Sequence, residues 1–368
     1  MSKNVYNVAI IGCGRIAGHH CRSVSSVKSM NIVAVCDLEK EKAKEWSREF
    51  KAPWFTNYHE MLASVSEIDI VAVITPSGMH WEHGMDILGR YRKHVIIEKP
   101  TFLKPGQLEE AFDTAERFGL EIFPVFQNRY NSAVQRVREA IECHELGEIR
   151  IMSVRVRWSR SDRYYNLAPW RGTFSHDGGA LTNQGIHHVD LLRYLGGEVS
   201  SVNATMRTLG ANIEVEDTVV ATFKYKSGAV GSLEVTTAAR PDDFEASLSI
   251  VGSKGLAQIG GIAVNELQIF TPDPQACKKE SEDFSSCVYG NGHMAMYRDI
   301  EAFFNENRPY PVNRNDCLNT IKLLHSFYQS DECGDWVKPS STGESTRLGR
   351  ADDEMSKLYR TPAYEGST

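Results

Sequence analysis

Three groups of residues have the types and spacing to do chemistry. Gly12-Cys13-Gly14-Arg15-Ile16-Ala17 follows directly on the apolar run Val8-Ala9-Ile10-Ile11, and Asp37 closes a second run, Ile32-Val33-Ala34-Val35-Cys36. Glu98-Lys99-Pro100 follows Val95-Ile96-Ile97. Asn183-Gln184-Gly185-Ile186-His187-His188-Val189-Asp190 places an amide four residues before a histidine. The first group is a phosphate cradle. Gly12 lets the chain turn sharply off a strand, Gly14 leaves the backbone open to a pyrophosphate, and Ala17 lets a helix sit close to the sheet. The N-terminus of that helix offers unpaired N–H groups and a positive dipole end. Asp37, about 25 residues beyond Gly12, stands where a carboxylate bonds both hydroxyls of an adenosine ribose and repels a 2′-phosphate. The pattern is that of NAD rather than NADP, unless a basic group nearby reverses it. A bare glycine turn also occurs in ordinary βα loops, but here strand, helix and acid agree.

The elements that must position these residues alternate through the first half. Residues 38–50 have helical spacing, and 68–75 is an unbroken apolar run, as in a strand buried on both faces. Pro76-Ser77-Gly78 breaks it, 79–91 reads as a helix, and 95–97 is the next strand. Residues 105–118 form a helix with proline near its start, and 122–125 a sixth strand. Such alternation implies a doubly wound parallel sheet, an α/β Rossmann domain over residues 1–127. Ligands bind beyond the carboxyl ends of its strands. That rule puts Gly12, Asp37, Thr75, Pro76, Glu98, Lys99 and Gln127 on one rim. With Gly14, Arg15, Ile16 and His80 they are the expected contacts to NAD.

Beyond about residue 133 the pattern changes. A helix at 133–143 precedes alternating segments at 151–158, 199–206, 218–225, 232–236, 246–251 and 263–270. They predict a large, open, mainly antiparallel sheet in an α+β domain over residues 128–338. Lys226-Ser227-Gly228 and Gly252-Ser253-Lys254-Gly255 are hairpin signals. Helices are expected at 183–195, 293–305 and 315–330. A sheet of this size needs cover on both faces, so its outer face is expected to join subunits of a homo-oligomer, a dimer or tetramer. Residues 339–368, polar and proline-bearing, are expected to form an arm across a neighbouring subunit or a loose tail.

Composition narrows the class. A chain of 368 residues has room for two domains, and 41% hydrophobic with 24% charged residues is ordinary for a globular enzyme. A net charge of −7 argues against a nucleic-acid surface. No apolar run approaches membrane-spanning length. Met1-Ser2-Lys3-Asn4 passes straight into the first strand, so no signal peptide is expected. The eight cysteines are scattered without a CxxC pair, which fits reduced thiols in a cytoplasm.

Together, GxGxxA, Glu98-Lys99-Pro100 and Gly185-Ile186-His187-His188-Val189-Asp190 resemble the glucose-fructose oxidoreductase and inositol dehydrogenase family, Gfo/Idh/MocA, over residues 5–336. Gln127-Asn128-Arg129, Tyr164-Tyr165, Trp170-Arg171-Gly172-Thr173, Asp177-Gly178-Gly179-Ala180, Asn183-Gln184, and the segments 212–218 and 264–268 are similar to the branch that oxidises UDP-N-acetylglucosaminuronate at C3. The resemblance implies a nucleotide-sugar dehydrogenase of surface-polysaccharide synthesis with tightly held NAD. In some relatives it also implies recycling of NADH by 2-oxoglutarate. The wider family often has Asp where this chain has Asn183, and the nucleotide-sugar branch looks to have Asn. An amide orients an imidazole without stabilising its protonated form as a carboxylate would.

Oxidising a secondary alcohol sends a hydride to the nicotinamide and a proton to a base, while a cation steadies the alkoxide. The resemblance makes His187 the base, titrating near the ordinary value of about 6.5. It makes Lys99 the cation and Asn183 the residue that orients substrate or base. Pro100 restricts Lys99 to extended geometry, which aims it; the bland alternative is a solvated surface charge. Asp190 is expected to be structural. Substrate contacts are expected from Lys99, Asn128, Arg160, Tyr165, Trp170, Arg171, Asn183 and His187. A guanidinium can grip a uronate carboxylate or a diphosphate, and an aromatic face can stack on uracil or sugar. The competing reading is a loop whose aromatics pack beneath it and whose arginines are solvated. His19-His20, His80 with His83, and His187-His188 invite a metal. Their spacing is poor and no thiol or carboxylate cluster accompanies them, so no metal is expected. Neutral UDP-N-acetylglucosamine and a free sugar or inositol stay open as substrates. So does a non-catalytic NAD-sensing protein, which would have no use for an aimed Lys99.

Overall fold

The apolar run before the glycine turn becomes a central strand of a parallel sheet. The structure, a computed structural model, describes residues 5–284, 290–339 and 343–364; Cys287 lies outside them. Six strands, β1 (Tyr6–Ile11), β2 (Met30–Cys36), β3 (Trp54–Phe55), β4 (Ile70–Val73), β5 (His94–Ile97) and β6 (Ile122–Pro124), run in the order β3-β2-β1-β4-β5-β6. Every neighbouring pair is parallel. All four residues of β4 are buried, as an unbroken apolar run requires of a strand covered on both faces. The two-residue edge strand β3 is too short to leave a periodic trace.

The helix expected at 79–91 is composite: a 3₁₀ turn at Ser77–Met79, an α-helix at His80–Met85 and a π-helical turn at Asp86–Tyr91. Side-chain periodicity hardly separates these forms. The sheet of this unit is also covered from far along the chain. The helix Gly292–Glu306 sends Phe304 to stack on Tyr6, with ring centroids 4.5 Å apart, and packs Phe303 edge-on against Phe123 at 5.4 Å. Tyr310 donates to the Pro124 carbonyl at 2.9 Å. The chain accordingly forms compact units that are discontinuous in sequence. The first holds Met1–Val125, His293–Leu318 and Ala351–Thr368, and the second Phe126–Gly292 and Asn319–Arg350. Of the C-terminal segment, residues 351–364 pack on the first unit of their own chain, whereas Ser345 and Arg347 bond His325 and Asp331 in the second. Arg360 pairs with Glu82 at 2.7 Å, and Asn57 Nδ2 donates to the Pro362 carbonyl at 2.8 Å.

The second unit is built on seven strands: β7 (Ile149–Arg157), β8 (Val199–Arg207), β9 (Thr218–Tyr225), β10 (Val230–Thr236), β11 (Glu245–Gly252), β12 (Leu256–Gly260) and β13 (Glu266–Phe270). Their order is β13-β12-β11-β7-β10-β9-β8. The sheet is mainly antiparallel, as expected, with one parallel pair, β10 and β7. Alternation reveals which face a residue takes, not the direction of the neighbour. Strand β12 belongs to the hairpin expected at 252–255, and the segment expected at 263–270 begins in a turn where Val264 has φ +51°. On β9, Val219, Ala221, Phe223 and Tyr225 face inward, and Val220, Thr222 and Lys224 face out. The Tyr225 hydroxyl donates to the Leu192 carbonyl at 2.9 Å, which ties the sheet to the helix Ile186–Gly196.

Candidate active site

The glycine turn has the strained backbone that its sequence requires. Gly12 has φ +96°, and a Cβ there would lie 2.4 Å from the Ile74 carbonyl oxygen. A Cβ at Gly14 would meet nothing within 4 Å, so the backbone is open on the side where a pyrophosphate approaches. Arg15 is exposed and Ile16 half-buried at the start of the helix Ala17–Ser25, whose first N–H groups have no side-chain cap. Asp37 accepts from the Cys13 N–H and the Glu39 N–H, each at 2.7 Å. A carboxylate has about four acceptor sites, so ribose hydroxyls still find partners. The nearby lysines are engaged elsewhere: Lys42 pairs with Glu39, and Lys40 and Lys44 lie over the Trp54 ring. The residues present fit NAD.

Further along the rim, His80 is buried with Nδ1 2.8 Å from the Pro100 carbonyl oxygen and Nε2 2.9 Å from that of Thr75. Both nitrogens are thus committed to backbone, and the ring links the loop at Thr75 and Pro76 to the turn at Lys99 and Pro100. The Lys99–Pro100 bond is cis. Glu98 is buried in a knot of side chains. Its Oε1 lies 3.0 Å from His20 Nε2 and 3.3 Å from His293 Nε2, and its Oε2 accepts the Lys99 N–H at 2.9 Å. His20 Nδ1 in turn lies 2.9 Å from the Tyr297 hydroxyl. Burial opposes the charge on Glu98, but the two imidazoles overcome it and hold the carboxyl well below its usual range. A carboxylate thus does accompany one of the histidine pairs, contrary to expectation: His20, Glu98 and His293 bring their ligand atoms within 4.8 Å of one another. The histidines sit 78 and 195 residues from Glu98, so neighbouring histidine pairs in sequence could not reveal it.

In the second unit two motifs meet. The 3₁₀ turn Gln127–Tyr130 faces the helix Ile186–Gly196, and Gln127 Nε2 lies 3.0 Å from His187 Nε2. Two residues along the turn, Arg129 forks onto Asp190 at 2.7 and 2.6 Å, and the Thr320 hydroxyl adds a bond to Asp190 at 3.2 Å. Gln127, expected on the cofactor rim, thus has its amide on the imidazole. Asn128 is half-buried on the same turn. Ahead of His187, the helix expected from residue 183 starts as a π-helical turn, Ala180–Gln184. Asn183 Nδ2 donates to Asp177, whose other oxygen accepts the Gly172 N–H at 2.7 Å. Glu216 pins the start of this turn by accepting the Leu181 N–H at 3.0 Å and the Tyr328 hydroxyl at 2.8 Å. Gly179 has φ +89°, and a Cβ there would collide with Glu216 at 2.2 Å. Burial pushes the Glu216 carboxyl up to about 8.

The arginines and aromatics divide unevenly. Arg160 is spent on Asp243 at 2.7 Å and lies over Trp158. Arg171 lies over the rings of Tyr164 and Trp170 at 4.4 and 4.5 Å and donates to the Tyr164 hydroxyl at 2.5 Å. Its buried Nε has no hydrogen-bond partner among the described residues. Tyr165 turns inward, buried, with its hydroxyl 3.0 Å from that of Thr237. Sequence reasoning named Tyr165, but Tyr164 is the tyrosine beside the arginines. Gln184, quoted beside Asn183 in the resemblance but not among the expected substrate contacts, donates to the Tyr164 hydroxyl at 3.1 Å and to Asn183 Oδ1 at 2.8 Å. That bond ties the arginine–aromatic cluster to Asn183.

A parallel Rossmann sheet with this glycine turn and an acid just beyond the end of β2 defines a dinucleotide-binding protein. Comparison with known proteins narrows it. The oxidoreductase family model with an NAD-binding Rossmann fold matches residues 6–126, and the GFO/IDH/MocA C-terminal domain matches residues 134–258. A solved structure of the WlbA dehydrogenase from Bordetella pertussis, in complex with NADH and UDP-GlcNAcA, is 31% identical, with TM-score 0.86 over 92% of this chain and 99% of its own. WlbA from Chromobacterium violaceum, in complex with the same two molecules, is 33% identical, with TM-score 0.84 over 92% of this chain and 97% of its own. D-glucoside 3-dehydrogenase of Escherichia coli (strain K12) is 28% identical over 92% of this chain and 99% of its own length. Glucose-6-phosphate 3-dehydrogenase of Bacillus subtilis (strain 168) is 29% identical over 67% and 72%. The chain belongs to the GFO/IDH/MocA oxidoreductase family and is an NAD-dependent sugar dehydrogenase acting on a CH–OH group. No described helix is long and apolar enough to cross a membrane.

Proposed function

We propose that the chain oxidises the C3 hydroxyl of a UDP-linked N-acetylated sugar, with UDP-N-acetylglucosaminuronate the best fit. The observation that carries this reading is Arg171, a guanidinium among aromatic rings with a buried, unpartnered Nε. Its cluster, joined to Asn183 through Gln184, has the chemistry to grip a uronate carboxylate or a diphosphate. Both WlbA structures hold UDP-GlcNAcA, and two curated relatives are named for oxidation at position 3, which supports the regiochemistry. His187 takes the hydroxyl proton, Lys99 steadies the alkoxide, and Asn183 orients the substrate. The reaction runs in the cytoplasm and supplies surface-polysaccharide synthesis, with 2-oxoglutarate returning NADH to NAD. The active form is a homo-oligomer joined through the outer face of the second sheet, where Ile151, Val220 and Val230 are 44%, 58% and 49% exposed.

Incubation with UDP-N-acetylglucosaminuronate, NAD and 2-oxoglutarate should give a 3-keto sugar, identified by mass spectrometry. No turnover alongside turnover of a free glucoside or cyclitol would sink the substrate assignment and keep the family. The Arg171→Ala variant should raise KM for the acidic sugar more than for neutral UDP-N-acetylglucosamine. Equal effects would make the arginine a diphosphate contact instead. The second reading, a dehydrogenase of a free glucoside, rests on the Escherichia coli relative. It requires no measurable affinity for UDP by calorimetry.

A further inference from the structure

We propose that Tyr297 and His20 are positioning residues that fix the Glu98-Lys99-Pro100 turn through an unbroken line of hydrogen bonds. Tyr297 donates to His20 Nδ1 at 2.9 Å, His20 donates from Nε2 to Glu98 Oε1 at 3.0 Å, and Glu98 Oε2 accepts the Lys99 N–H at 2.9 Å. The bearing of this line on the chemistry rests on the assignment of Lys99 to the alkoxide. The direction of each bond follows from the groups at its ends. A backbone N–H only donates. Burial opposes the charge on Glu98, but His20 and His293 hold its carboxyl well below the usual range, so it only accepts. His20 Nε2 therefore carries a hydrogen. Burial disfavours the imidazolium of His20, so Nδ1 keeps its lone pair and accepts from Tyr297, whose hydroxyl burial keeps protonated. The ring cannot be turned over, because carbons would then stand 2.9 and 3.0 Å from two oxygens, closer than even a C–H···O contact allows.

The line joins three stretches of the first unit. His20 stands on the helix Ala17–Ser25 that follows the glycine turn, Tyr297 on the helix Gly292–Glu306, and Glu98 just beyond β5. His293, one helical turn before Tyr297, gives Glu98 Oε1 a second imidazole N–H at 3.3 Å. Three N–H donors are what a buried carboxylate needs to stay charged. The turn itself is held from both sides. Glu98 takes the N–H of Lys99, and His80 Nδ1 meets the carbonyl oxygen of Pro100 at 2.8 Å. With the peptide groups on either side of the Lys99–Pro100 pair anchored, the lysine side chain leaves the backbone from a fixed point. The other titratable groups around the line are His19 and Cys21 beside His20, and His80 and Lys99 at the turn. Burial disfavours the charged forms of His19, Cys21 and His80, pulling His19 down to about 4 and pushing the Cys21 thiol up to about 12.

The test compares His20→Leu, which removes the donor to Glu98, with His20→Gln, whose Nε2 lies the same number of bonds from the backbone, and with Tyr297→Phe. In 15N NMR of the histidine-labelled full chain, the parent should show the His20 hydrogen on Nε2 and a bonded lone pair on Nδ1. Tyr297→Phe should move the Nδ1 resonance to that of an unbonded lone pair. With UDP-N-acetylglucosaminuronate and NAD, His20→Leu should lower kcat by about tenfold to a hundredfold, as a displaced catalytic group does, while KM for the sugar changes less than about threefold. Its rate should also fall more steeply on the acid side, because Glu98 with one donor fewer takes up a proton more readily. His20→Gln should restore most of kcat and the parent's acid slope. The proposal is overturned by a parent His20 with its hydrogen on Nδ1, by an unmoved Nδ1 resonance in Tyr297→Phe, by parent kcat in His20→Leu, or by His20→Gln no better than His20→Leu. If Lys99→Met keeps the parent's kcat while His20→Leu loses it, the turn is held as proposed and Lys99 is not the group that steadies the alkoxide. If the parent does not turn over this sugar, the substrate reading fails and the NMR results decide the proposal alone. They also decide it if His20→Leu does not fold.

Discussion

Arg129 and Asp190 form a buried two-point fork, Nε to Oδ2 at 2.7 Å and Nη2 to Oδ1 at 2.6 Å, with the two side chains 6% and 1% exposed. It joins two motifs that lie 61 residues apart in the chain. A planar guanidinium on a carboxylate fixes direction as well as distance, so it sets how Gln127 meets His187.

Breaking that fork from one side leaves a charge buried without its partner. Asp190→Asn should therefore cost about 3–5 kcal/mol of stability. Replacing both residues with apolar ones of similar volume should cost much less. Urea unfolding of the single and double variants, read as a double-mutant cycle, measures this. A single variant within 1 kcal/mol of the parent would show that the pair is not buried in solution.

The acid at Asp37 has two duties, bonding ribose and bracing the loop through Cys13 and Glu39. Asp37→Ala should weaken NAD at least about tenfold, roughly 1.4 kcal/mol, and narrow the preference for NAD over NADP. Calorimetry with each cofactor checks both parts. Gly12→Ala, with φ +96° and a clash on the Ile74 carbonyl, should abolish NAD binding.

His188 should make the fold sensitive to acid. Burial pushes its imidazole down to about 4, and neither ring nitrogen has a partner among the described residues. The folded chain keeps His188 neutral, while the unfolded chain protonates it below about 6.5. Its contribution is complete above that value and is lost as pH falls towards 4. Between pH 7 and pH 5 the parent should lose about 2 kcal/mol that His188→Leu does not lose. Denaturant unfolding at the two pH values tests it, and equal losses would refute it.

Glu216 should act in the opposite direction. With its carboxyl raised to about 8 by burial, the folded chain keeps the proton that the unfolded chain releases above about 4.3. Stability from this group is complete in acid and is lost as pH rises towards 8. Glu216→Gln should gain on the parent by up to about 1 kcal/mol per pH unit between pH 5 and pH 8. Thermal melts across that range measure the gain. A constant difference would mean that the carboxyl is ionised in the folded state.

The sequence alone determined what local physics controls. A glycine that must take positive φ, an acid at a strand end, an unbroken apolar run and an alternating one are short-range signals. They carry the NAD-binding turn, the parallel sheet and the alternation of β9. Tertiary structure decided the partnerships. Glu98 finds His293 across 195 residues, Gln127 finds His187 across 60, and β7 lies parallel to β10. It also turned Tyr165 into the core and left Tyr164 with Arg171. Burial and pairing depend on which distant surfaces close on one another, and that closure leaves no periodic trace along the chain.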